Sequence, residues 1–149
     1  MQGWEKTNEL IREGVDRTSL HFERGEIYTW AEVNALHRVW IGIYQRNGQL
    51  VSLLTDFGKI NPCYPDMQGG TAETIIYTGN GRHGDQKLDP QNRALLNAAG
   101  TGDGFPLFNK QAANRWEYMG RWEVLTARHE YDDRQERMLW RFVLRSVAE

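Results

Sequence analysis

The chain has 149 residues, a formal net charge of −2 and a pI near 6.1, and 40% of its residues are hydrophobic. This length suits one domain with a sizeable core, and the charge argues mildly against a nucleic-acid-binding protein that is basic throughout. A single cysteine excludes an internal disulfide and a cysteine-built zinc site, and no apolar run approaches the roughly 20 residues that cross a bilayer. We therefore expect a cytoplasmic protein without a membrane partner.

The first half of the chain predicts one helix followed by strands. Trp4, Leu10 and Ile11 lie among charged residues, which favours an amphipathic helix over residues 4–14. Residues 31–36 suit a helical turn or a loop. The apolar, β-branched runs on either side of Asn47-Gly48 predict a hairpin, because this dipeptide adopts the turn that joins two strands tightly. The strands predicted in this half are residues 27–30, 39–44 and 50–54.

The second half predicts one further helix and more strands. Asp89 is a suitable N-cap, Pro90 a suitable first helical residue and Gly100 a stop signal. The segment "FPLFNK" reads as a short strand or a turn, and residues 138–147 alternate with the period of two that is typical of strands. Strands are predicted over 73–78, 116–128 and 138–147. Since strands outnumber helices at hairpin-like spacings, we expect an α+β fold with a curved, mostly antiparallel sheet or barrel.

Gly79, Gly81 and Gly84 form a literal Gly-x-Gly-x-x-Gly after the strand over 73–78. A dinucleotide-binding loop must open directly into a helix whose N-terminus receives the pyrophosphate. Here the helix begins only at Pro90, and no crossover helices separate the preceding strands. The pattern therefore does not indicate a dinucleotide site.

No other pattern in the chain assembles a catalytic centre. The four histidines are scattered, the serines lack the glycines of a nucleophile elbow, and Cys63 has no patterned base nearby. The sequence predicts a binding module rather than an enzyme, with no catalytic residues, metal site or cofactor.

Six sequence blocks, in order, resemble the SRA (SET- and RING-associated, or YDG) domain. The core of the resemblance is "YTGNG", "DQKL" and "NRAL", which are similar to the family pattern Tyr-Thr-Gly-x-Gly, Asp-Gln and Asn-x-Ala-Leu. Further similarity lies in "GEIYTW" with "LHR" and "IGI", in "CYPD", in "YMGRWEV" and in "MLWRFVLR". The similarity runs from about residue 25 to residue 145, which divides the chain into an N-terminal helical extension (1–24) and an SRA-like domain (25–149).

The resemblance implies a PUA-like curved barrel that binds double-stranded DNA carrying 5-methylcytosine or a related modified cytosine. The base is rotated out of the duplex into an aromatic pocket. Tyr64 and Tyr77 match the stacking tyrosines, and Asp66 matches the carboxylate that accepts from the cytosine N4 amino group. Thr78 is expected to complete recognition of the base edge. These roles agree with the needs of a rotated base, which requires flat apolar faces and polar partners.

The resemblance also implies residues that contact the rest of the DNA. Leu36 matches the apolar loop tip that fills the space left by the base, and its neighbours His37 and Arg38 are expected to contact DNA. Small residues at Gly79 and Gly81 would let phosphates approach the backbone, while Arg82 and Lys87 would supply positive charge.

The chain departs from eukaryotic members where only three residues, 82–84, separate Gly81 from Asp85. Those members carry a longer finger there, so the resemblance is to microbial, prokaryotic members, which are often fused to HNH-type nucleases in modification-dependent restriction. The expected partners are modified DNA, which would make the chain nucleoid-associated when bound, and a fused or partner nuclease. Two alternatives stay open: a PUA-like module that binds modified or structured RNA, and a small enzyme that acts on a nucleobase.

Overall fold

The computed structural model describes residues 21–149, so the predicted helix over 4–14 lies outside the described residues. Within this part of the chain there are eight strands and two short helices, neither of which is long and apolar enough to span a membrane. The strands are β1 Ile27–Tyr28, β2 Ile43–Arg46, β3 Gln49–Thr55, β4 Met67–Gln68, β5 Thr74–Thr78, β6 Gly104–Ala112, β7 Arg115–Asp132 and β8 Arg137–Val147, and the helices are α1 Trp30–Asn34 and α2 Pro90–Ala98.

All eight strands belong to one sheet, with the order β2-β3-β6-β7-β8-β5-β4 and β1 added alongside β7. Every pairing is antiparallel except that of β3 with β6, which is parallel. The sheet does not close on itself within the described residues, since β2 and β4 form its two edges. The expected α+β, PUA-like, mostly antiparallel architecture is confirmed, as a curved sheet rather than a closed barrel.

Two local predictions are confirmed with the expected turn and cap chemistry. Asn47 and Gly48 both have positive φ, 52° and 83°, and join β2 to β3. The Asp89 side chain accepts a hydrogen bond from the Asn92 backbone N–H, and proline begins α2 directly after it. Short-range sequence signals therefore place the hairpin and the internal helix correctly.

Two apolar clusters hold the sheet and helices together. The larger packs α2 against β2, β3, β7 and β8. Its most buried members are Leu53, Ile75, Leu95, Leu107, Val124, Phe142 and Leu144. The smaller packs α1 against β3, β6 and β7, and consists of Val33, Leu36, Leu54, Phe108, Trp116 and Tyr118.

Two predicted strands are shorter than expected. The strand predicted over 27–30 covers only Ile27–Tyr28, because Thr29 caps the helix that begins at Trp30. The apolar run over 39–44 becomes a strand only from Ile43, and residues 36–42 form an irregular loop instead. The reason is a buried side chain: His37 is held between the Ser52 hydroxyl and the Ile41 backbone carbonyl, each 2.7–2.8 Å from a ring nitrogen. The histidine ring thus takes the carbonyl of Ile41 away from strand pairing.

Candidate functional site

A half-open cavity of about 420 Å³ lies between the glycine loop, the segment after β3 and helix α1. All four residues predicted to form a base pocket line this cavity. Its full lining is Trp30, Trp40, Ile41, Gly42, Ile43, Leu54, Thr55, Asp56, Asn61, Tyr64, Asp66, Tyr77, Thr78, Gly79, Asn80, Arg82, Lys110, Ala113, Asn114 and Trp116.

Two buried acids, Asp56 and Asp66, line the cavity, and Asp66 is the one that the resemblance singles out. One carboxylate oxygen accepts from the Thr78 backbone N–H at 2.6 Å, and the other accepts from the Thr55 hydroxyl at 2.6 Å. Burial raises the pKa of Asp66 from 3.8 to about 7, although these hydrogen bonds and the positive charge of Arg141 lower it. The carboxylate is therefore fixed in direction, and its charge is poorly compensated.

Tyr77 and Tyr64 supply the aromatic surface beside this acid. The Tyr77 side chain is only 2% exposed, and its hydroxyl lies 2.8 Å from the Leu54 carbonyl and 3.2 Å from that of Gly42. Burial raises the pKa of Tyr77 well above its usual value, so the hydroxyl stays a donor. Tyr64 is only partly buried, and burial raises its pKa to a smaller degree. Tyr77 is thus a rigid wall, and Tyr64 is the more exposed of the two.

Thr78 connects the cavity to strand β8. Its hydroxyl accepts from the Arg141 guanidinium at 3.1 Å, while its backbone N–H is occupied by Asp66. The Thr78 amide therefore orients the acid, and a hydrogen bond from the Thr78 side chain also lowers the pKa of Asp66.

The glycine loop is held by hydrogen bonds between its backbone and two polar side chains that follow it, Gln86 and Asn92. The Gln86 side-chain amide donates to the carbonyls of Gly79 at 2.7 Å and Gly81 at 3.1 Å. The Asn92 side chain bonds both the N–H and the carbonyl of Asn80, at 2.7 and 2.9 Å. A Cβ on Gly79 would lie 2.7 Å from the Asn92 side-chain oxygen, and Gly81 has a φ of 127°. Both glycines are therefore required by the packing and backbone of the loop itself.

The loop at 36–42 differs from what the resemblance implies. Leu36 is only 5% exposed and packs in the smaller apolar cluster, so it is not placed at a tip that could enter DNA. His37 is fully buried, and burial lowers its pKa from 6.5 to about 4, which leaves the ring neutral and structural. Arg38 is exposed and is the one member of the three that is open to an external phosphate.

Two residues that the resemblance did not single out lie at the mouth of the cavity. Trp40 is 82% exposed and stacks on Trp30, with ring centroids 5.0 Å apart and planes 28° apart. Lys110 comes from β6, and its Nζ lies 5.6 Å from the ring centre of Trp116. The sequence did offer a signal for Trp40, which is a large aromatic residue in the short apolar run over 39–44. It offered none for Lys110, which the order of the strands brings to the cavity.

The remaining predicted DNA contacts divide between the cavity and the outer surface. Arg82 is exposed and lines the cavity from the glycine loop, with a hydrogen bond to the Asn61 side chain at 3.3 Å. Lys87 is exposed but does not line the cavity. Among residues 21–149, no group of three or more histidine, cysteine or acidic side chains is placed to hold a metal ion.

Comparison with known proteins agrees with this fold. The chain resembles the solved structure of the modification-dependent TagI restriction endonuclease, with 21% identity and a TM-score of 0.69 over 85% of this chain and 50% of that one. It thus spans about half the length of the TagI chain. It also resembles the SUVH5 SRA domain in complex with hemimethylated CG DNA, with 23% identity and a TM-score of 0.72 over 86% of this chain and 90% of that one.

A further solved structure, SUVH5 SRA bound to fully hydroxymethylated CG DNA, is 24% identical with a TM-score of 0.66 over 85% of this chain and 90% of that one. At these identities the likeness concerns the fold. No curated protein sequence matches the chain. The family model described as "ScoMcrA-like, SRA domain" matches residues 30–149. Because this match covers most of the chain, the protein belongs to the family of ScoMcrA-like SRA domains.

Proposed function

We propose that the chain binds duplex DNA that carries 5-methylcytosine or a related modified cytosine, and that the modified base rotates into the cavity. The observation that carries this proposal is the meeting of a buried, oriented carboxylate at Asp66 with the rings of Tyr64 and Tyr77 in one cavity of about 420 Å³. A base that leaves the duplex loses its stacking and pairing, and such a cavity replaces both. Solved members of the SRA fold that contain methylated or hydroxymethylated CG DNA support the same function.

The cavity distinguishes cytosine from thymine through Asp66. An ionised carboxylate only accepts hydrogen bonds, and cytosine offers a donor at N4 where thymine offers the O4 acceptor. The hydrogen bonds from Thr78 and Thr55 fix the carboxylate before the base arrives. Tyr77 and Tyr64 provide the stacking surfaces, which explains why one of them is locked in place and the other is open to the mouth.

The space that the base leaves in the duplex is filled by Trp40 rather than by Leu36. Trp40 is the most exposed of the large apolar side chains in the described chain, and Ile41 beside it is 42% exposed. Both line the cavity mouth, whereas Leu36 is buried. An apolar side chain that enters a base step keeps the duplex apart at the cost of unstacking it.

Phosphate contacts come from the cations on either side of the mouth. Arg82 approaches from the glycine loop and Lys110 from β6, and Arg38 lies on the loop that carries Trp40. Because the net charge of the whole chain is −2, these few cations must lie close to the phosphates to attract DNA. Their contribution to the affinity is independent of the cytosine modification.

The chain acts as the specificity module of a prokaryotic modification-dependent restriction system, in the cytoplasm and on the nucleoid when bound. The resemblance to the TagI restriction endonuclease and the short glycine loop support this setting. We assign cleavage to a fused or partner nuclease of the HNH type, which the resemblance to the TagI restriction endonuclease supports.

The test is a competition between duplexes that differ in a single cytosine, which is plain, 5-methylated or 5-hydroxymethylated, with RNA of the same sequence as a fourth competitor. We expect the chain to prefer one or both modified duplexes over the plain duplex by at least tenfold. Equal affinity for all three duplexes would overturn the proposal, and a preference for the RNA would favour the RNA-binding alternative. Release of product from a free nucleoside would favour the enzymatic alternative.

A further inference from the structure

Arg137 joins two neighbouring segments that each carry residues lining the cavity, among them Tyr64 and Arg82. Its side chain lies at the start of β8 and is only 5% exposed. One terminal guanidinium nitrogen donates to the carbonyls of Gly81 at 2.6 Å and Gly84 at 3.0 Å, and the other donates to the carbonyl of Cys63 at 2.8 Å. Among residues 21–149, no carboxylate forms an ion pair with it. Three backbone oxygens thus serve as the partners of a buried positive charge.

These carbonyls belong to the two segments that the proposed function needs at a fixed distance. Cys63 directly precedes Tyr64, and Gly81 and Gly84 directly flank the short run that contains Arg82. A neighbouring side chain supports the same connection, because Gln135 donates to the carbonyl of Pro62 at 2.9 Å. Gln135 in the β7–β8 turn and Arg137 at the start of β8 therefore both contact the segment that leads into Tyr64.

An arginine is suited to this position by its shape. The guanidinium is planar and directs its N–H groups outward in a fixed fork, so one side chain can reach carbonyls on both segments at once. A lysine carries the same charge on a single nitrogen and cannot reproduce that fork. Backbone carbonyls also impose a distance between the chain segments, since the partner atoms cannot turn away as a side chain can.

We propose that Arg137 is a positioning residue that holds the Tyr64 segment against the glycine loop and so fixes the place of Tyr64 in the cavity. This inference rests on the proposed function. Arg137 acts through these two segments and does not contact DNA, because its side chain is buried and both of its terminal nitrogens are occupied. It therefore controls discrimination between modified and plain cytosine, while the exposed cations control the attraction to phosphate.

The test compares Arg137→Lys and Arg137→Gln with Arg134→Lys and Arg134→Gln, since Arg134 is an exposed arginine in the same turn. Affinities for the modified and plain duplexes are measured at several salt concentrations. We expect both Arg137 variants to lower the modified-to-plain affinity ratio about tenfold, with the affinity for plain DNA and its salt dependence unchanged. The Arg134 variants should leave the ratio unchanged.

A ratio that survives in Arg137→Lys would overturn the proposal, as would a uniform loss of affinity with a smaller salt dependence, which would indicate a phosphate contact. Hydrogen exchange of the free protein provides a readout that does not depend on DNA. Arg137→Lys should speed exchange in residues 61–64 and 80–85 selectively, whereas acceleration over the whole sheet would show a merely structural role.

If the Arg137 variants fail to fold, Gln135→Ala provides the test. This variant should lower the modified-to-plain affinity ratio about threefold. An unchanged ratio would then contradict the proposal. If the unchanged protein shows no preference among duplexes, the proposed function fails instead. In that event the inference about specificity fails with it, and the exchange experiment alone decides whether Arg137 holds the two segments.

Discussion

Replacing Asp66 by asparagine should stabilise the protein above neutral pH while removing its preference for modified DNA. The pKa of Asp66 is raised by burial from 3.8 to about 7 in the folded state. A raised carboxyl pKa means that the folded protein holds the proton more tightly than the unfolded chain does. The stability from this group is therefore fully present below pH 3.8 and is lost as the pH rises through 7.

The size of the effect follows from the pKa change. Each pKa unit corresponds to about 1.4 kcal/mol, so ionised Asp66 lowers the free energy of unfolding by about 4 kcal/mol at pH 8.5 and about 1.7 kcal/mol at pH 5. Asparagine is similar in shape and carries no charge, so its side-chain oxygen can still accept from Thr78 and its amide can donate to Thr55. The stability of Asp66→Asn relative to the unchanged protein should rise by about 3 kcal/mol between these two pH values.

The assay is urea unfolding followed by tryptophan fluorescence at pH 5 and pH 8.5, with Asp103→Asn as the control for the same chemical change at an exposed position. The His37 contribution is present in both proteins and cancels in the difference. Binding at pH 7.5 should show a loss of about tenfold to a hundredfold in the preference for the modified duplex, which is the range for one hydrogen-bonded base contact. A stability difference that does not change with pH would refute the reasoning about burial, and a preserved preference would refute the role of Asp66 in recognition.

Three further predictions separate stacking, charge and rigidity. Trp40→Ala should weaken binding of the modified duplex about tenfold in a titration. The control is Tyr131→Ala, which removes an aromatic side chain that is 58% exposed and does not line the cavity, and it should change the affinity less than about twofold. Equal effects of the two variants would contradict the role of Trp40. Arg82→Ala should lower the affinity for all duplexes alike and reduce the slope of log affinity against log salt by about 0.9. The control, Arg46→Ala on the β2–β3 hairpin, should change neither the affinity nor the slope. A change in the modified-to-plain affinity ratio would argue against a phosphate contact by Arg82. Tyr77→Phe should lower the free energy of unfolding by about 1–2 kcal/mol, which urea unfolding measures. It should keep the preference for the modified base in competition binding, because the aromatic ring remains. Loss of this preference would mean that the Tyr77 hydroxyl itself takes part in recognition.

The elements that the sequence predicted well are those controlled by neighbouring residues. The Asn47-Gly48 turn and the Asp89-Pro90 helix start depend on backbone preferences that act within a few residues. The loop before Ile43 was predicted as strand because its residues are apolar and β-branched. Its real form depends on His37 and Ser52, which are fifteen residues apart, and no local pattern reports such a contact.

The candidate site shows the same division. The resemblance predicted that four residues form one pocket, and the structure places all four in the lining of the cavity: Tyr64, Asp66, Tyr77 and Thr78. It could not show that Leu36 is buried, because an apolar residue beside a loop suits a core and a DNA contact equally well. Nor could it indicate Arg137, whose partners are backbone carbonyls from two distant segments and leave no trace in the identity of the side chains.

The order of the strands has a consequence for how the domain is made. Strand β8 lies between β7 and β5, and among the eight described strands it is the last in the chain. The partner of Thr78 in the sheet is Arg141, and Ile75 pairs with Leu144, so β5 has only the two-residue β4 beside it until β8 has left the ribosome. Contacts between residues so far apart in the chain form slowly, and unpaired strand edges invite aggregation while they wait. A nascent chain that stops before β8 therefore lacks a finished sheet and the contact of Arg141 with Thr78, so the cavity is among the last features of this domain to form during synthesis.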